Sequence, residues 1–359
     1  MPKLRVLFIS RRFPPSLGGI EIYCYQLYQH LKEHCDISLV ALSRSSLWHL
    51  LWFFPYAYLR CFLSVLFNQH DVIYFTDGVM AALAPLVRVL TKKKIVVTIH
   101  GLELTYKQRT LRNFMISGAK VCDSVVAVSK NIGREVRGCG IERERVHVIY
   151  CGIKPMTVID NIGPDETAVL AKLLKKDLRD KPMLVVISRL VNRKGIAEFL
   201  ENCFGMLQDN VLLAIAGQGP ETARIKQIVI SRNLEDRVSV LGTISETEAA
   251  VLRLRADLFL MPNIRIKDDL EGFGIAPLEA MYVGTPAIAF DVDSLSESVG
   301  EGGMLVQEND YEAFAGAIKT FLDLSPSEKE KENQKSYNYV RENFLWSNTA
   351  REYIRVFNS

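Results

Sequence analysis

Residues 183–195 read MLVVISRLVNRKG, an apolar run that breaks off into a turn with three cations. The run Met183–Ser188 is rich in β-branched residues, as expected for a strand that is covered on both faces. Similar short runs follow it, separated by helical patterns, which is typical of repeated strand–helix–strand units in a parallel sheet. The predicted strands of this series are Met183–Ser188, Val211–Gly217, Val238–Leu241, Leu258–Pro262, Ala287–Asp291 and Met304–Val306.

An equivalent series of strand patterns occupies the first half of the chain. Its members are Arg5–Ser10, Ile37–Leu42, Val72–Thr76, Ile95–His100, Ser124–Ser129 and His147–Cys151. Because single cores split into domains well before a length of 359 residues, two doubly wound α/β domains are predicted. We assign residues 1–153 to the first domain, 154–335 to the second, and 336–359 to a terminal helix.

The overall composition is that of a globular protein. Hydrophobic residues make up 48% of the chain, and the formal net charge of +3 is too small to argue for nucleic-acid binding. The seven cysteines are scattered without the spacing of metal ligands, which indicates a reducing compartment and no zinc. The first apolar run is too short for a signal peptide, and Arg11 and Arg12 break it. A cytoplasmic location is therefore expected.

The most apolar part of the chain is Leu47–Phe67. His49, Pro55 and Arg60 interrupt it, whereas a membrane span needs about 20 predominantly apolar residues. Two interpretations stay open: a crossover helix packed on the sheet, and an interfacial anchor whose Trp and Tyr rings lie among lipid headgroups. The basic rim of such an anchor would come from Lys92–Lys94, Lys107, Arg109 and Arg112.

Two features of the first domain are candidate ligand-binding elements. Gly18 and Gly19 precede an amphipathic helical pattern, and the free amides of a helix N-terminus favour an anion such as a diphosphate. A simple turn is the alternative for this pair of glycines. His100 ends the strand Ile95–His100, at the edge where parallel sheets bind ligands. No serine or cysteine pattern makes it part of a catalytic triad, so its neutral ring is expected to bind a sugar hydroxyl.

The basic turn after Met183–Ser188 is a candidate phosphate site. Arg189, Arg193 and Lys194 lie at the carboxyl end of the first strand of their domain. An arginine fork and a lysine point charge can stabilise a departing diphosphate. A solvated basic turn is the alternative.

Residues 271–279 read EGFGIAPLE and form the most specific segment of the chain. Pro277 suits the first turn of a helix, so the amides of Gly272–Ile275 are expected in an exposed loop, with Glu279 in that first turn. Because carboxylates accept hydrogen bonds from vicinal hydroxyls, one of the two glutamates would bind a ribose and the other a sugar. Compensation of the helix dipole is the alternative for Glu279.

The spacing of Glu271 and Glu279 resembles the E-x7-E pattern of retaining GT-B glycosyltransferases of family 4. Further segments match this family, in its order, along almost the whole chain: Gly18-Gly19, His100-Gly101, Val128-Ser129, Val148–Gly152, Ser188–Leu190, Lys194-Gly195, Ala216–Pro220 and Gly284–Pro286. Cys151 and Ser188 depart from the Asn and Gly that are common in the family. The resemblance implies two Rossmann-like domains that face a cleft, with the terminal helix crossing back to the first domain.

The resemblance also implies roles for individual residues. Arg189 and Lys194 would hold the donor diphosphate, Glu279 the ribose and Glu271 the transferred sugar, while Gly19 would approach the distal phosphate. The residues that it assigns to catalysis are Arg189, Lys194, Glu271 and His100. The residues that it assigns to donor binding are Gly18, Gly19, Arg189, Lys194, Gly242, Thr243, Ile244, Glu271, Phe273, Gly274, Ile275 and Glu279.

No metal and no other cofactor is expected. Asp291-Val-Asp293 spells the D-x-D metal motif of the other large glycosyltransferase fold. Short motifs recur by chance, however, and this one lies downstream of the E-x7-E segment. The resemblance implies no required metal, in agreement with the fixed positive charge around Arg189.

The predicted function is the retaining, metal-independent transfer of a hexose from a nucleotide-sugar to a glycan or lipid-linked acceptor in polysaccharide or glycolipid biosynthesis. The expected partners are the donor, the acceptor and a cytoplasmic membrane surface, without nucleic acid. A nucleotide-sugar epimerase of the same fold and a non-catalytic nucleotide-sugar-binding scaffold at a membrane remain as alternatives. An epimerase would lack the E-x7-E context, and a scaffold would not need Arg189, Lys194, Glu271 and Glu279 together.

Overall fold

The computed structural model describes residues 3–16, 18–43, 47–153, 166–174, 181–267 and 269–359. The chain divides into two compact units. The first unit comprises Met1–Lys154, Asp268–Phe273 and Phe344–Ser359, and the second comprises Pro155–Lys267 and Gly274–Asn343. Each unit holds one six-stranded parallel sheet with helical connections, so the prediction of two doubly wound α/β domains is confirmed.

The sheet of the first unit contains all six strands predicted for it; Arg5–Ser10 has the predicted bounds, and the other five differ from theirs by one to three residues at one or both ends. They are β1 (Arg5–Ser10), β2 (Asp36–Ala41), β3 (Val72–Phe75), β4 (Lys94–Ile99), β5 (Ser124–Ala127) and β6 (Val146–Val148). The strand order is β2-β1-β3-β4-β5-β6, and Val6 of β1 pairs with Ile37 and Val72. Every residue of β3 and β5 is buried, and since successive side chains point to opposite faces, both faces of the sheet are covered.

The helices of the first unit cover this sheet, and two of them begin with a polar side-chain cap. They are α1 (Gly19–Leu31), α2 (Leu47–Leu66), α3 (Gly78–Ala81), α4 (Ala84–Leu90), α5 (Arg109–Val121) and α6 (Lys130–Gly138). Asp77 caps α3 by accepting a hydrogen bond from the Met80 amide, and Ser129 caps α6 in the same way through Ile132. Helix α2 packs against α4, and α4 packs against α5.

The second unit repeats the pattern with its own core. Its strands are β7 (Met183–Ile187), β8 (Leu212–Ala216), β9 (Val238–Gly242), β10 (Leu258–Met261), β11 (Ala287–Phe290) and β12 (Met304–Val306), in the order β12-β11-β10-β7-β8-β9. Its helices are α7 (Glu166–Leu174), α8 (Ile196–Asn202), α9 (Thr222–Ser231), α10 (Glu246–Arg255), α11 (Ile275–Tyr282), α12 (Leu295–Ser298), α13 (Tyr311–Leu322) and α14 (Pro326–Asn343). Phe199, Phe290 and Phe314 are fully buried where helices meet the sheet.

The C-terminal part of the chain forms two helices instead of the one predicted for 336–359. Helix α14 belongs to the second unit and extends it to Asn343, whereas α15 (Trp346–Asn358) belongs to the first. The break lies at Phe344, whose ring is buried and whose carbonyl accepts a hydrogen bond of 2.7 Å from the Ile153 amide. This bond replaces the helical bond that a continuous helix would make there.

Four buried hydroxyls fix α15 within the first unit. Tyr353 lies 2.5 Å from the hydroxyl of Tyr23 in α1 and 2.6 Å from that of Thr98 in β4, and Tyr74 of β3 lies 2.7 Å from Thr98. Burial raises the pKa of the Tyr23, Tyr74 and Tyr353 hydroxyls, so all three stay neutral donors. The network satisfies polar groups that would otherwise be costly to bury.

Candidate active site

The turn after β4 in the first unit is held by a carboxylate that the sequence analysis did not single out. Glu103 is buried, and its Oε2 accepts hydrogen bonds from the amides of His100 and Gly101 at 3.1 and 3.0 Å. Its Oε1 accepts a third, of 3.2 Å, from the amide of Gly78 at the start of α3. One side chain thus organises the strand-end turns that follow β3 and β4.

The orientation of the His100 ring follows from two contacts. Its Nε2 lies 2.9 Å from the carbonyl oxygen of Thr76, so Nε2 carries the proton and Nδ1 of the neutral ring is an acceptor. The ring also meets Tyr23 edge to face, with 4.8 Å between centroids. The imidazole is therefore fixed on both sides, with an acceptor nitrogen suited to a hydroxyl.

The segment that carries Glu271 lies against His100 within the first unit. A Cβ on Gly272 would lie 2.7 Å from the carbonyl oxygen of His100, so only glycine fits there. Glu271 is buried, and Phe273 stacks on Tyr150 with 5.2 Å between ring centroids and 15° between planes. The expectation of an exposed loop is thus wrong for Phe273 and Gly274, because the Phe273 ring is part of the core of this unit and Gly274 is also buried.

The Gly18-Gly19 turn contains an internal ion pair. Glu21 is buried and its Oε1 accepts a hydrogen bond of 2.7 Å from Arg12. A Cβ on Gly18 would lie 2.4 Å from the Glu21 carboxylate, whereas one on Gly19 would meet no atom of the described residues within 4 Å. A carboxylate thus already lies at the N-terminus of α1, where the sequence analysis expected an external anion.

The strand-end turns of the second unit are packed through glycines. A Cβ on Gly195, which has φ 62°, would lie 1.9 Å from the carbonyl oxygen of Pro262. A Cβ on Gly217 would lie 1.8 Å from that of Ser188, and the Gly217 amide donates to the Gly242 carbonyl at 2.7 Å. The turns after β7, β8, β9 and β10 are therefore in backbone contact, a packing that excludes side chains.

This glycine packing positions the two cations expected to bind phosphate. Lys194 ends a short 3₁₀ turn over Asn192–Lys194 and is 8% exposed. Arg189 is the second residue after the end of β7 and is exposed. Among the described residues, Arg189 has no carboxylate within salt-bridge distance. Its charge is therefore available to an anion at the edge of the sheet.

Glu279 pairs with a buried arginine. Helix α11 begins at Ile275 after the left-handed Gly274, so Glu279 lies in the second turn and the prediction of a first-turn position is wrong. Its Oε2 accepts a hydrogen bond of 2.5 Å from Nη2 of Arg253 in α10. Burial raises the pKa of the Glu279 carboxyl, an effect that the Arg253 charge opposes. Among the described residues, Oε1 makes no hydrogen bond, so it is available as an acceptor.

The described residues contain no group of three or more His, Cys, Asp or Glu side chains that could hold a metal ion. Asp291, the first aspartate of the D-x-D motif, directly follows β11 and is exposed. All seven cysteines are unpaired.

The predicted site residues divide between the two units. Those of the first unit are Gly18, Gly19, His100, Glu271 and Phe273. Those of the second unit are Arg189, Lys194, Gly242, Thr243, Ile244, Gly274, Ile275 and Glu279. Within the first unit, Gly272, which directly follows Glu271, packs against the carbonyl oxygen of His100. Sequence reasoning missed Glu103, Arg253 and the Arg12–Glu21 pair, since nothing local marks these partners.

Two family descriptions match successive parts of the chain. Residues 17–156 match Glycosyltransferase Family 4, and residues 172–341 match Glycosyl transferases group 1. Together the two segments cover both predicted domains.

Individual relatives and solved structures agree with this assignment. The chain is 24% identical to a subunit of the phosphatidylinositol N-acetylglucosaminyltransferase of Arabidopsis thaliana, over 98% of this chain and 80% of the relative. It is 26% identical to the GDP-mannose-dependent alpha-(1-6)-phosphatidylinositol monomannoside mannosyltransferase of Mycolicibacterium smegmatis, over 88% and 89%. Anabaena Alr3699/HepE, solved in complex with UDP, has a similar fold with a TM-score of 0.77 and 17% identity, over 99% and 100%. The chain belongs to the group 1, family 4 glycosyltransferases and has their GT-B fold.

Proposed function

We propose that this protein is a retaining, metal-independent hexosyltransferase that moves a sugar from a nucleotide-sugar to a glycan or lipid-linked acceptor. The observation that carries the proposal is the Glu279–Arg253 pair. A half-buried carboxylate with one oxygen held by arginine and the other available suits the adjacent hydroxyls of a ribose. Two cations at the carboxyl edge of the same sheet suit the diphosphate that such a nucleotide carries.

The leaving group is proposed to be stabilised by Arg189 and Lys194. When the bond from the anomeric carbon to the donor oxygen breaks, negative charge develops on the diphosphate. Lys194 is buried, so its interaction with that charge is screened less than a surface interaction would be. Arg189 presents a planar fork that can bind two phosphate oxygens at once.

The first unit is proposed to supply contacts to the transferred sugar. The ring of His100 is fixed by Thr76 and Tyr23, which leaves Nδ1 as the proposed acceptor for a sugar hydroxyl. Gly272, which directly follows Glu271, packs against the His100 carbonyl oxygen. Glu271 and the Phe273–Ile275 amides would then hold the sugar hydroxyls. Gly19 is proposed to approach the distal phosphate through its backbone, since no atom of the described residues lies within 4 Å of the position that a Cβ would take there.

The acceptor hydroxyl is proposed to attack the anomeric carbon on the face from which the diphosphate departs. Its proton would pass to a phosphate oxygen of the donor, so the mechanism needs no protein nucleophile and no base on the chain. Retention of configuration rests on membership of the family.

A lipid-linked acceptor in glycolipid or polysaccharide biosynthesis is the proposed second substrate, on the cytoplasmic side of a membrane. The names of two relatives support this class, since both specify phosphatidylinositol lipids.

A thermal-shift panel tests the donor site. UDP, GDP, ADP and their common sugars are added to wild type and to Glu279→Ala, with and without chelator. A nucleotide at 100 times its dissociation constant adds about 2.7 kcal/mol to the stability of the state that binds it, so a rise in the apparent midpoint of about 5 °C is expected. The rise should survive chelation and disappear in Glu279→Ala.

The matched control is Glu330→Ala, which removes an exposed carboxylate from α14 in the same unit. It should keep the full nucleotide shift. A shift that appears only with metal, or that persists in Glu279→Ala, contradicts the proposed donor site.

A further inference from the structure

The outer face of α2 is an apolar stripe with no covering element among the described residues. Six residues at alternating spacings of four and three lie on it, and each is exposed: Trp48, Trp52, Pro55, Leu59, Phe62 and Leu66. Trp48 is 79% exposed. These residues, the outer stripe, share one side of the helix because their spacing follows its 3.6-residue period.

The opposite face of α2 is part of the core of the first unit. Phe53, Ala57, Cys61 and Ser64 are fully buried, and Ser64 is hydrogen-bonded at 2.7 Å to His70 beyond the end of the helix. Within the described ranges, α2 is the one helix long and apolar enough to cross a membrane by length and composition. Helix α2 contacts β1, so the predicted crossover helix is present and packs on the sheet with its buried face.

The exposed apolar surface continues onto neighbouring elements. Helix α4, which packs against α2, exposes Leu86 and Val89. Helix α5, which packs against α4, exposes Phe114, and the turn before it exposes Leu102 and Tyr106. Large exposed apolar patches usually mark an interaction surface.

The charge of this region is strongly one-sided. Residues 47–121 carry nine Lys and Arg against three Asp and Glu, a net charge of +6, whereas the whole chain has a net charge of +3. Helices α2, α4 and α5 contain no acidic residue. Lys92, Lys107 and Arg109 are exposed near the apolar surface, so it is bordered by cations.

We propose that the outer stripe and its basic border bind the surface of an anionic lipid bilayer, with α2 lying in the plane of the headgroups. Apolar side chains with Trp and Tyr rings suit the boundary between acyl chains and headgroups, and cations beside them suit anionic lipids. A second copy of this chain is a poorer occupant, because a symmetric contact would bring two surfaces of net positive charge together. The inference does not depend on the proposed sugar transfer.

Tryptophan fluorescence on vesicles tests this binding directly. The chain has three tryptophans, of which Trp48 and Trp52 lie on the outer stripe and Trp346 is buried. Phosphatidylcholine vesicles with and without phosphatidylglycerol are added to the full-length protein, and bound protein is measured by flotation. We expect a blue shift and flotation with the anionic vesicles, both weakened by high salt and by omission of phosphatidylglycerol.

Two double variants test whether vesicle binding requires the outer stripe or only exposed apolar side chains in general. Trp48→Ser with Leu66→Ser should lower the vesicle partition coefficient about tenfold or more while the thermal midpoint is kept, because both side chains are exposed. Ile230→Ser with Met206→Ser removes exposed apolar side chains from the second unit and should leave partitioning unchanged.

Three results would overturn the proposal. The first is the absence of flotation and blue shift on anionic vesicles, and the second is equal loss of binding in both double variants. The third is a dimer in sedimentation equilibrium that requires Trp48 and Leu66, which would assign the surface to a second copy.

Discussion

The first strand of each unit is followed by arginine, but the two units treat that charge differently. In the first unit, Arg12 is paired with buried Glu21 at 2.7 Å, and Arg11 lies 3.0 Å from buried Asp77. In the second unit, Arg189 is exposed and, within the part of the chain that the structure describes, has no carboxylate at salt-bridge distance. The two units share a topology, but the arginines after the first strand are paired with carboxylates in the first unit, whereas Arg189 of the second unit remains available. This difference favours the second unit as the place where the donor diphosphate binds.

The turns that carry these charges also differ in construction. Glu103 holds the strand ends of the first unit through three amide hydrogen bonds, whereas glycine contacts at Gly195 and Gly217 hold those of the second. Backbone packing by glycine leaves amides and cations at the sheet edge without adding negative charge. A turn held by carboxylates is less suited to an anionic ligand.

The largest expected effect is a loss of catalytic rate that occurs on substitution of Arg189 and not of Arg12. Arg189→Ala should lower kcat/KM for sugar transfer by about 10²- to 10³-fold, with an unchanged thermal midpoint, because an exposed side chain that stabilises the leaving group is removed. Arg12→Ala should instead lower the stability by about 1–3 kcal/mol, because Glu21 is left buried and unpaired. Steady-state kinetics and thermal unfolding of both variants measure these effects. An equal loss of kcat/KM in the two variants would contradict the different roles assigned to Arg189 and Arg12.

The next largest effect is the difference in stability between alanine variants of Gly195 and Gly19. Gly195→Ala should destabilise the second unit by about 2 kcal/mol or more, since its φ is positive and its Cβ would meet the Pro262 carbonyl. Gly19→Ala should leave stability nearly unchanged, because a Cβ there has open space. Denaturant unfolding measures both variants. A stable Gly195→Ala variant would show that the backbone contact is not required.

Loss of Glu103 should affect only the first unit. Glu103→Ala leaves three amides without their acceptor and should lower the stability of that unit by about 2 kcal/mol, with Glu103→Gln intermediate. Nucleotide binding should persist in both variants. Hydrogen exchange at Gly78, His100 and Gly101 reports the expected local opening, and unchanged protection of these amides would argue against this role.

The smallest effect concerns the pH dependence of Glu279. Burial raises its pKa above the ordinary value of 4.5, so the folded state binds this proton more tightly than the unfolded state. The tighter binding of this proton stabilises the folded state at low pH, and that stabilisation is lost as pH rises through the raised pKa. Without nucleotide, Glu279→Gln should therefore gain stability relative to wild type as pH rises from 4.5 towards neutrality, while losing nucleotide affinity. A difference that is independent of pH would contradict the inferred burial effect.

The strands and turns were predictable from the sequence because their signals are local. Runs such as Met183–Ser188 are apolar and β-branched, and glycine–cation turns follow them directly. The partners of the site residues were not predictable, because Glu279 meets Arg253 only through packing of α10 against α11. The sequence predicts too late a start for α11, because the left-handed Gly274 allows the helix to begin before Pro277. The exposure of the outer stripe was equally hidden, because sequence spacing shows that a helix has two faces and not which of them is covered.

The measurement that tests the central claim most directly is calorimetric titration of UDP, GDP and ADP, in the presence of chelator, into wild type, Arg189→Ala and Arg12→Ala. We predict that one nucleotide binds the wild type without metal, that Arg189→Ala weakens it at least about tenfold, and that Arg12→Ala, where it stays folded, retains it. Equal weakening in both variants, or binding that requires a metal ion, would contradict a donor site built on the exposed Arg189 of the second unit.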